Sequence, residues 1–334
     1  MNRATKCLCA ALVGAVSATA SAQLGFTVQD TPLLIGASGL AYGPDGTLFV
    51  VSGGGSSSVL SIAPDGTQTS IDLDASVSID SPVGAAFDAV NNRLLVTDNE
   101  SFLDGEGNLL GIDLETGLVE TLASGFDTID DVAVRSTGEV FFSDAAGSGA
   151  GGVYKLEGGA PQLVTGGLDL AAGLGFDLDG NLLVQDVSST NFAGSVSLVT
   201  LSESSDGLVA SAPELVADGV AGFDLAVDSE GDVFVTGSGG LFELDRDASG
   251  DFLGTASTLI AEGFSTEVAF IAGTVAFEPF LELPGGEVSP LLTFVPSFGA
   301  SELVTLSVPE PSVAALLGLG LLSFSARGRR EVRK

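Results

Sequence analysis

The stretch Gly39–Ser52, which reads GLAYGPDGTLFVVS, contains two short apolar segments separated by Pro-Asp-Gly. This pattern predicts a hairpin of two antiparallel strands, because Pro presets the turn, Asp bonds its own backbone and Gly accepts a left-handed conformation. Related stretches follow at Gly84–Asp98, Asp131–Asp144, Gly173–Asp186, Asp224–Gly237 and Val268–Glu278. One hairpin unit is therefore repeated six times along the chain.

The spacing of these units predicts the architecture. Their turn positions are 46, 46, 42, 51 and 42 residues apart, at Gly46, Asn92, Gly138, Gly180, Gly231 and Gly273. A period in this range is typical of a β-propeller with one four-stranded blade per repeat. The sequence thus predicts an all-β fold, a six-bladed β-propeller with four-stranded blades.

The outer strands of the blades come from other segments. Each repeat contains a second hairpin, such as Val59–Ile71 in the first. In the last repeat, the segment PLLTFV, which begins at Pro290, is predicted to be the third strand. We expect Leu24–Gly36, which precedes the first repeat, to be the fourth strand of the last blade. There it would close the ring and leave only short, protected strand edges.

The first 22 residues are predicted to be a secretory signal peptide. Arg3 and Lys6 precede a short apolar stretch, Leu8–Val16, and Ala20-Ser21-Ala22 has the small residues of a cleavage site. Signal peptidase would then cut between Ala22 and Gln23. The predicted propeller follows at residues 23–297, and a linker at 298–308 leads to the C-terminal segment, 309–334.

The C-terminal segment has three parts. Pro309-Glu310-Pro311 precedes an apolar run, Val313–Ala326, and the chain then ends in a basic stretch. The run of 14 residues is shorter than the roughly 20 residues of a membrane-spanning helix. This tail resembles the PEP-CTERM sorting signal. The resemblance implies that an exosortase-type membrane enzyme recognises Pro309, Glu310 and Pro311, that the run is a short hydrophobic helix, and that the protein is exported to the cell surface or beyond. A plain tail anchor is the alternative.

Composition excludes several kinds of chemistry. The sequence contains no His, and both cysteines, Cys7 and Cys9, lie in the predicted signal peptide. The commonest general base and the His-dependent nucleophiles are therefore absent. The net charge is −33, and the span 23–311, with four basic and 43 acidic residues, carries −39. So acidic a body repels nucleic acid and anionic lipid, and no nucleic-acid partner is expected.

The repeats also resemble those of two groups of six-bladed propellers, the NHL type and the senescence-marker-protein/gluconolactonase type. The lines GLAYGPDGTLFVV and GLGFDLDGNLLVQD carry the resemblance. Gluconolactonase relatives hold a calcium-type ion with Glu, Asn and Asp side chains at the starts of the innermost strands. The resemblance implies Ca²⁺ as the candidate cofactor, and its candidate ligands here are Asp130, Asp131, Asp224 and Glu267.

These sequence features lead to two functional hypotheses from different classes. The favoured hypothesis is a secreted or surface-attached module without catalytic residues, which binds an extracellular polysaccharide or another surface protein. The alternative is a divalent-metal-dependent lactonase of the gluconolactonase type. The family's Asn-Gly-Leu signature is replaced here by Ser38-Gly39-Leu40 and Ala172-Gly173-Leu174, which favours the first.

Other acidic residues are predicted to be structural. Asp98, Asp144 and Asp186 each end the second strand of a repeat, and we interpret them as caps on the next turn. The stretch Asp245–Asp251 begins like a calcium loop, but its twelfth position is Ala256 instead of Glu. We therefore expect a polar turn there.

Processing can be tested directly. The two predicted cleavage sites imply a mature chain that runs from Gln23 to near Pro311. Intact-mass measurement on protein from the native host should give that mass. A mass that still includes Arg327–Lys334 would indicate the plain tail anchor instead.

Overall fold

The computed structural model describes residues 27–52, 58–74, 77, 79–99, 106–205, 207–220, 222, 224–228, 231–237, 240–261, 275–282, 288–294 and 300–307. All regular secondary structure in these residues is β-strand. They include no helix that is long and apolar enough to cross a membrane. The predicted signal peptide with its Ala22–Gln23 cleavage site, Glu267 and the segment from Pro309 onward lie outside the described residues.

The described part of the chain forms 26 strands. In chain order they are β1 (Thr27–Ala37), β2 (Gly39–Tyr42), β3 (Leu48–Ser52), β4 (Ser58–Ile62), β5 (Gln68–Ile71), β6 (Pro82–Asp88), β7 (Arg93–Asn99), β8 (Gly107–Asp113), β9 (Val119–Phe126), β10 (Val132–Val134), β11 (Val140–Asp144), β12 (Gly151–Glu157), β13 (Ala160–Leu168), β14 (Leu170–Phe176), β15 (Leu182–Val187), β16 (Gly194–Val199), β17 (Leu201–Ser204), β18 (Gly207–Ala210), β19 (Glu214–Asp218), β20 (Asp224–Val227), β21 (Val233–Gly237), β22 (Gly240–Arg246), β23 (Phe252–Ala261), β24 (Val275–Glu282), β25 (Val288–Phe294) and β26 (Ala300–Ser307).

These strands form six four-stranded antiparallel blades, which confirms the predicted fold. From the innermost strand outward, the blades are β2-β3-β4-β5, β6-β7-β8-β9, β10-β11-β12-β13, β14-β15-β16-β19, β20-β21-β22-β23 and β24-β25-β26-β1. The innermost strands β2, β6, β10, β14, β20 and β24 contact one another in that order around a ring. A hairpin, β17–β18, is inserted in blade four, and one parallel pair, Ala217 with Gly254, joins the outer edges of blades four and five.

Strand β1 closes the ring as predicted. It pairs antiparallel with β26, from Thr27 opposite Ser307 to Pro32 opposite Glu302, and becomes the outermost strand of blade six. The first and the last strand of the described residues are thus neighbours in one blade. Without β1, the backbone of β26 would be an open edge for pairing with another chain.

Blade six differs from the sequence prediction in its inner strands. The apolar segment after Gly273 is the innermost strand, β24, rather than the second, and PLLTFV is part of the second strand, β25, rather than the third. The third strand is β26, which occupies most of the predicted linker 298–308, so the propeller reaches Ser307 instead of ending at residue 297. Because β1 supplies only one strand, the C-terminal part must supply three.

The hydrophobic core lies between the blades. Leu94 and Val96 of β7 pack in a cluster with blade one, whereas Leu95 between them packs in a cluster with blade three. All three side chains are fully buried. A strand covered on both faces reads as a continuous apolar run instead of an alternating one, which explains the LLV and VFV runs of the sequence.

The innermost strands pack backbone against backbone near the propeller axis. A Cβ added to Gly39 would lie 2.8 Å from the carbonyl oxygen of Val83 in the next blade. A Cβ on Gly84 would lie 2.8 Å from the carbonyl oxygen of Asp130 and 2.7 Å from Oδ1 of Asp131. The glycines that begin these repeats are therefore required by close approach between blades.

Substituting Gly84 tests this packing. Gly84→Ala should lower the free energy of unfolding by about 1–3 kcal/mol, because the added methyl group must displace the backbone of blade three. Gly166→Ala, in outer strand β13, is the matched control, since its Cβ would meet only ordinary contacts with Leu163 at 3.6 Å. Denaturant unfolding measures both variants, and equal stabilities would contradict the close approach.

Candidate functional site

The candidate site lies where the innermost strands begin, which we call the strand-start end of the propeller. Three of the four predicted ligand residues lie here: Asp130 and Asp131 immediately before β10, and Asp224 at the start of β20. We call these three the channel carboxyls. Their side chains are almost completely buried, with 6, 5 and 7% of each residue exposed in that order.

Asp131 links three blades through its carboxylate. Its Oδ1 accepts a hydrogen bond from the N–H of Val132 at 2.7 Å, and its Oδ2 accepts one from the N–H of Leu174 in blade four, also at 2.7 Å. Its carboxyl is in addition hydrogen-bonded to that of Asp224 in blade five. A Cβ on Gly173 would lie only 2.6 Å from the Cα of Asp224, so the glycine lets blades four and five approach this closely.

The buried position of the Asp131 carboxyl changes its acidity. Burial raises the pKa of Asp131 to about 7, although the amides of Leu174 and Val132 and the Asp224 carboxyl act in the opposite direction. The raised pKa favours the neutral form of this carboxyl.

Asp130 has a different environment from its neighbour. Its Oδ2 is buried and has no hydrogen-bond partner. Burial, followed by the nearby charges of Asp131 and Asp144, raises the pKa of Asp130 to about 7. Of the three channel carboxyls, Asp130 is the one with an oxygen that is not used by the scaffold and could accept a proton donor or a cation.

Hydroxyl groups of the second strands support the strand starts, and the sequence analysis missed them. Thr97 accepts a hydrogen bond from the N–H of Gly84 at 2.7 Å and donates one to the carbonyl oxygen of Asp130 at 3.2 Å. Ser143 accepts one from the N–H of Asp131 at 3.0 Å. The available signal was a hydroxyl residue immediately before Asp98 and Asp144 in two repeats.

The three repeated aspartates at the ends of second strands are structural, as predicted, but they cap a different segment. Asp98 accepts hydrogen bonds from the N–H groups of Asp80 and Ser81 at 2.9 and 2.7 Å. Asp144 and Asp186 accept them from Thr128 and Asp169 at 3.2 and 2.9 Å. Each caps the segment that enters the innermost strand of its own blade, rather than the turn that follows it.

The stretch that begins like a calcium loop is a polar turn, as expected. Asp247 Oδ1 accepts hydrogen bonds from the N–H groups of Ser249 and Asp251 at 2.7 and 3.1 Å. Arg246 donates to the carbonyl oxygen of Gly250 at 2.7 Å and stacks on Phe252. The loop oxygens are thus used by the chain itself.

The described residues contain no group of three or more His, Cys, Asp or Glu side chains arranged to hold a metal ion. Asp131 and Asp224 are brought together, Asp130 lies beside them, and Glu267 falls outside the described residues. The predicted Ca²⁺ site therefore stays a prediction.

Two comparisons with known proteins bear on the class of protein. Residues 307–330 match the PEP-CTERM protein-sorting motif, so the motif begins where β26 ends. The match confirms the predicted sorting signal: the chain is exported, handled by an exosortase-type system and displayed at the cell surface through its C-terminal segment. No curated protein sequence is detectably similar to the chain.

Solved structures resemble the propeller body. A gluconolactonase from Xanthomonas campestris aligns at a TM-score of 0.60 and 18% identity, covering 84% of this chain and 89% of its own. A PQQ-bound aldose sugar dehydrogenase from Streptomyces coelicolor aligns at 0.58 and 13%, covering 84% and 98%. Virginiamycin B lyase from Staphylococcus aureus aligns at 0.52 and 10%, covering 84% and 99%. At such low sequence identities the similarity shows only a shared fold, and proteins with this fold have different activities.

The protonation of Asp130 gives a pH-dependent prediction. Its folded-state pKa, about 7, is above its ordinary value of 3.8, so its contribution to stability is fully present below 3.8 and is lost as the pH rises through 7. Asp130→Asn cannot ionise and should therefore melt at a higher temperature than the wild type at pH 8.5, but not at pH 4.

The control for this experiment is Asp131→Asn. Both oxygens of Asp131 accept backbone N–H groups, which an Asn side chain can satisfy only once. That variant loses one of these hydrogen bonds and should already be less stable than the wild type at pH 4, by about 1–3 kcal/mol. A wild-type advantage over Asp130→Asn that persists at pH 8.5 would contradict the buried, protonated state of Asp130.

Proposed function

We propose that this exported propeller is a non-enzymatic binding module, which presents its strand-start end to a ligand outside the cell. One observation carries the proposal: two of the three channel carboxyls, which would be ligands or catalysts, are already bonded to the scaffold. Asp131 uses both oxygens on backbone amides, and Asp224 is bonded to Asp131 and to the N–H of Leu225 at 2.8 Å. Their geometry suits a structural role at the axis.

The chemistry of the strand-start end suggests an uncharged ligand. The loop between β15 and β16 reads Ser188-Ser189-Thr190-Asn191-Phe192, so hydroxyl and amide groups stand next to an aromatic ring. Phe192 is 47% exposed and has a positive φ of 56°, which is unusual for a bulky residue and common at functional sites. A polar loop with an exposed ring suits an extracellular polysaccharide, which offers hydroxyl groups and apolar ring faces.

Binding can be measured with a matched pair of variants. The processed chain should co-sediment with purified extracellular polysaccharide from its own host, and Phe192→Ala should reduce the bound fraction at least five-fold. Val209→Ala removes an equally exposed apolar side chain, 50% accessible, from the β17–β18 hairpin of the same blade and should bind like the wild type. Equal binding by all three proteins, or by none, would contradict the proposed ligand face.

A second candidate, a divalent-metal-dependent lactonase, is favoured by one observation, the unpartnered Oδ2 of Asp130. Glu267 would have to complete the site. Under this hypothesis, the processed chain with added Ca²⁺ would open aldonolactones faster than Ca²⁺ alone, and Asp130→Asn would abolish the difference.

A calcium titration separates the two candidates. A specific site should stabilise the fold by RT ln(1 + [L]/Kd), about 2.7 kcal/mol at 100 times Kd. Diffuse binding to an acidic surface should instead vanish when salt screens the charges. We expect that millimolar calcium in high, constant sodium chloride shifts the melting temperature of neither the wild type nor Asp224→Asn. A shift that survives salt in the wild type and is lost in Asp224→Asn would favour the lactonase.

A further inference from the structure

The two ends of the propeller chain leave blade six side by side. Thr27, the first residue of β1, is paired with Ser307, the last residue of β26. The predicted mature start, Gln23, is four residues before Thr27, and Pro309 is two residues after Ser307. At no more than about 3.5 Å per residue, both processing sites lie within roughly 15 Å of this corner.

The register of blade six shows towards which end of the propeller this corner lies. β24 runs from the strand-start end to the opposite end, which carries the turns between first and second strands and which we call the first-turn end. β25 returns, so its last residue, Phe294, is at the strand-start end. Phe294 is paired with Val304, and Leu291, nearer the beginning of β25, is paired with Ser307. β26 therefore runs towards the first-turn end as it leaves the blade.

The basic residues of the body gather at the same end. Arg93 pairs with Asp88, Arg135 and Lys155 both pair with Glu139, and Arg246 donates to the carbonyl oxygen of Gly231 at 2.9 Å. These partners lie in or beside the first turns of blades two, three and five. The sequence has no other basic residue between Gln23 and Pro311, so the strand-start end has none.

We propose that, while the sorting tail is attached, the first-turn end of the propeller faces the membrane and the strand-start end faces outward. Only five residues lie between Ser307 and the start of the apolar run at Val313, a reach of at most about 20 Å. So short a tether, leaving the blade in the direction of the first turns, holds that end against the bilayer. In this orientation all four basic residues of the body lie on the membrane side, where they offset part of the acidic charge that an anionic bilayer repels.

This orientation does not depend on the proposed binding role, since it follows from β1, β26 and the positions of the basic residues. Its consequence is that the channel carboxyls and the loop with Phe192 point away from the cell. The corner of blade six, with both processing sites, lies on the membrane side.

Fluorescence energy transfer to labelled lipid tests the orientation. The full chain with Cys7→Ser and Cys9→Ser has no other cysteine, so single cysteines can carry the donor dye. One pair is Ser136→Cys at the first turn of blade three and Ala150→Cys in its β11–β12 loop, both exposed. A second pair in blade four is Asp179→Cys and Thr190→Cys, also exposed at opposite ends.

Each labelled chain is reconstituted through its tail into phosphatidylethanolamine and phosphatidylglycerol vesicles that contain a rhodamine headgroup acceptor. Transfer should be at least two-fold more efficient from Ser136→Cys than from Ala150→Cys, and likewise from Asp179→Cys than from Thr190→Cys. Vesicles without acceptor give the baseline for each position. The reverse order, or equal transfer within either pair, including none from both positions, overturns the proposal.

Discussion

The structure depends on one constraint, that every blade must bury both of its faces against its neighbours. A sheet with apolar side chains on both faces cannot stand alone in water, so the blades are stable only as a closed ring. The interleaved packing of Leu94, Leu95 and Val96 into two different clusters shows this for blade two. Ring closure then requires that strand β1, from the beginning of the chain, completes a blade built from its end.

Ring closure also determines how closely the innermost strands pack at the axis. Six innermost strands that begin around one narrow centre leave no room for side chains at several positions, which is why Gly39, Gly84 and Gly173 occur there. Blades three and five have aspartate at the corresponding points, and Asp131 and Asp224 meet across the axis. The same crowding that buries them supplies the backbone N–H groups which stabilise Asp131, so these acids bind blades together.

The four basic residues of the body are far outnumbered by its 43 acidic residues, and they all lie at one end of the propeller. All four bases of the body lie near the first turns: Arg93, Arg135 and Lys155 pair with carboxylates of their own or a neighbouring blade, and Arg246 donates to backbone carbonyl oxygens. The strand-start end has acids without basic neighbours, and two of its buried carboxyls have a pKa of about 7. The charge of this end therefore changes near neutral pH.

The sequence by itself determined the hairpin repeat, the number of blades, the closing role of the first strand and the sorting signal. These features are local: a Pro-Asp-Gly turn, apolar runs and a three-part tail act through neighbours in the chain. The same reasoning was wrong in blade six, where the apolar segment after Gly273 was predicted to be the second strand instead of the innermost one, and β26 was predicted to be a linker. Which apolar segment pairs with which depends on how many strands the ring needs.

Only the tertiary structure decided how the candidate site is built. The sequence indicated acids at the starts of innermost strands, but Asp131 and Asp224 are 93 residues apart and belong to blades that are not adjacent. Their hydrogen bond, the amide of Leu174 between them and the unpartnered oxygen of Asp130 exist because three strand starts converge at the axis. Desolvation raises the pKa of Asp130 and Asp131 because these strand starts converge. Neither residue type nor spacing along the chain predicts that desolvation.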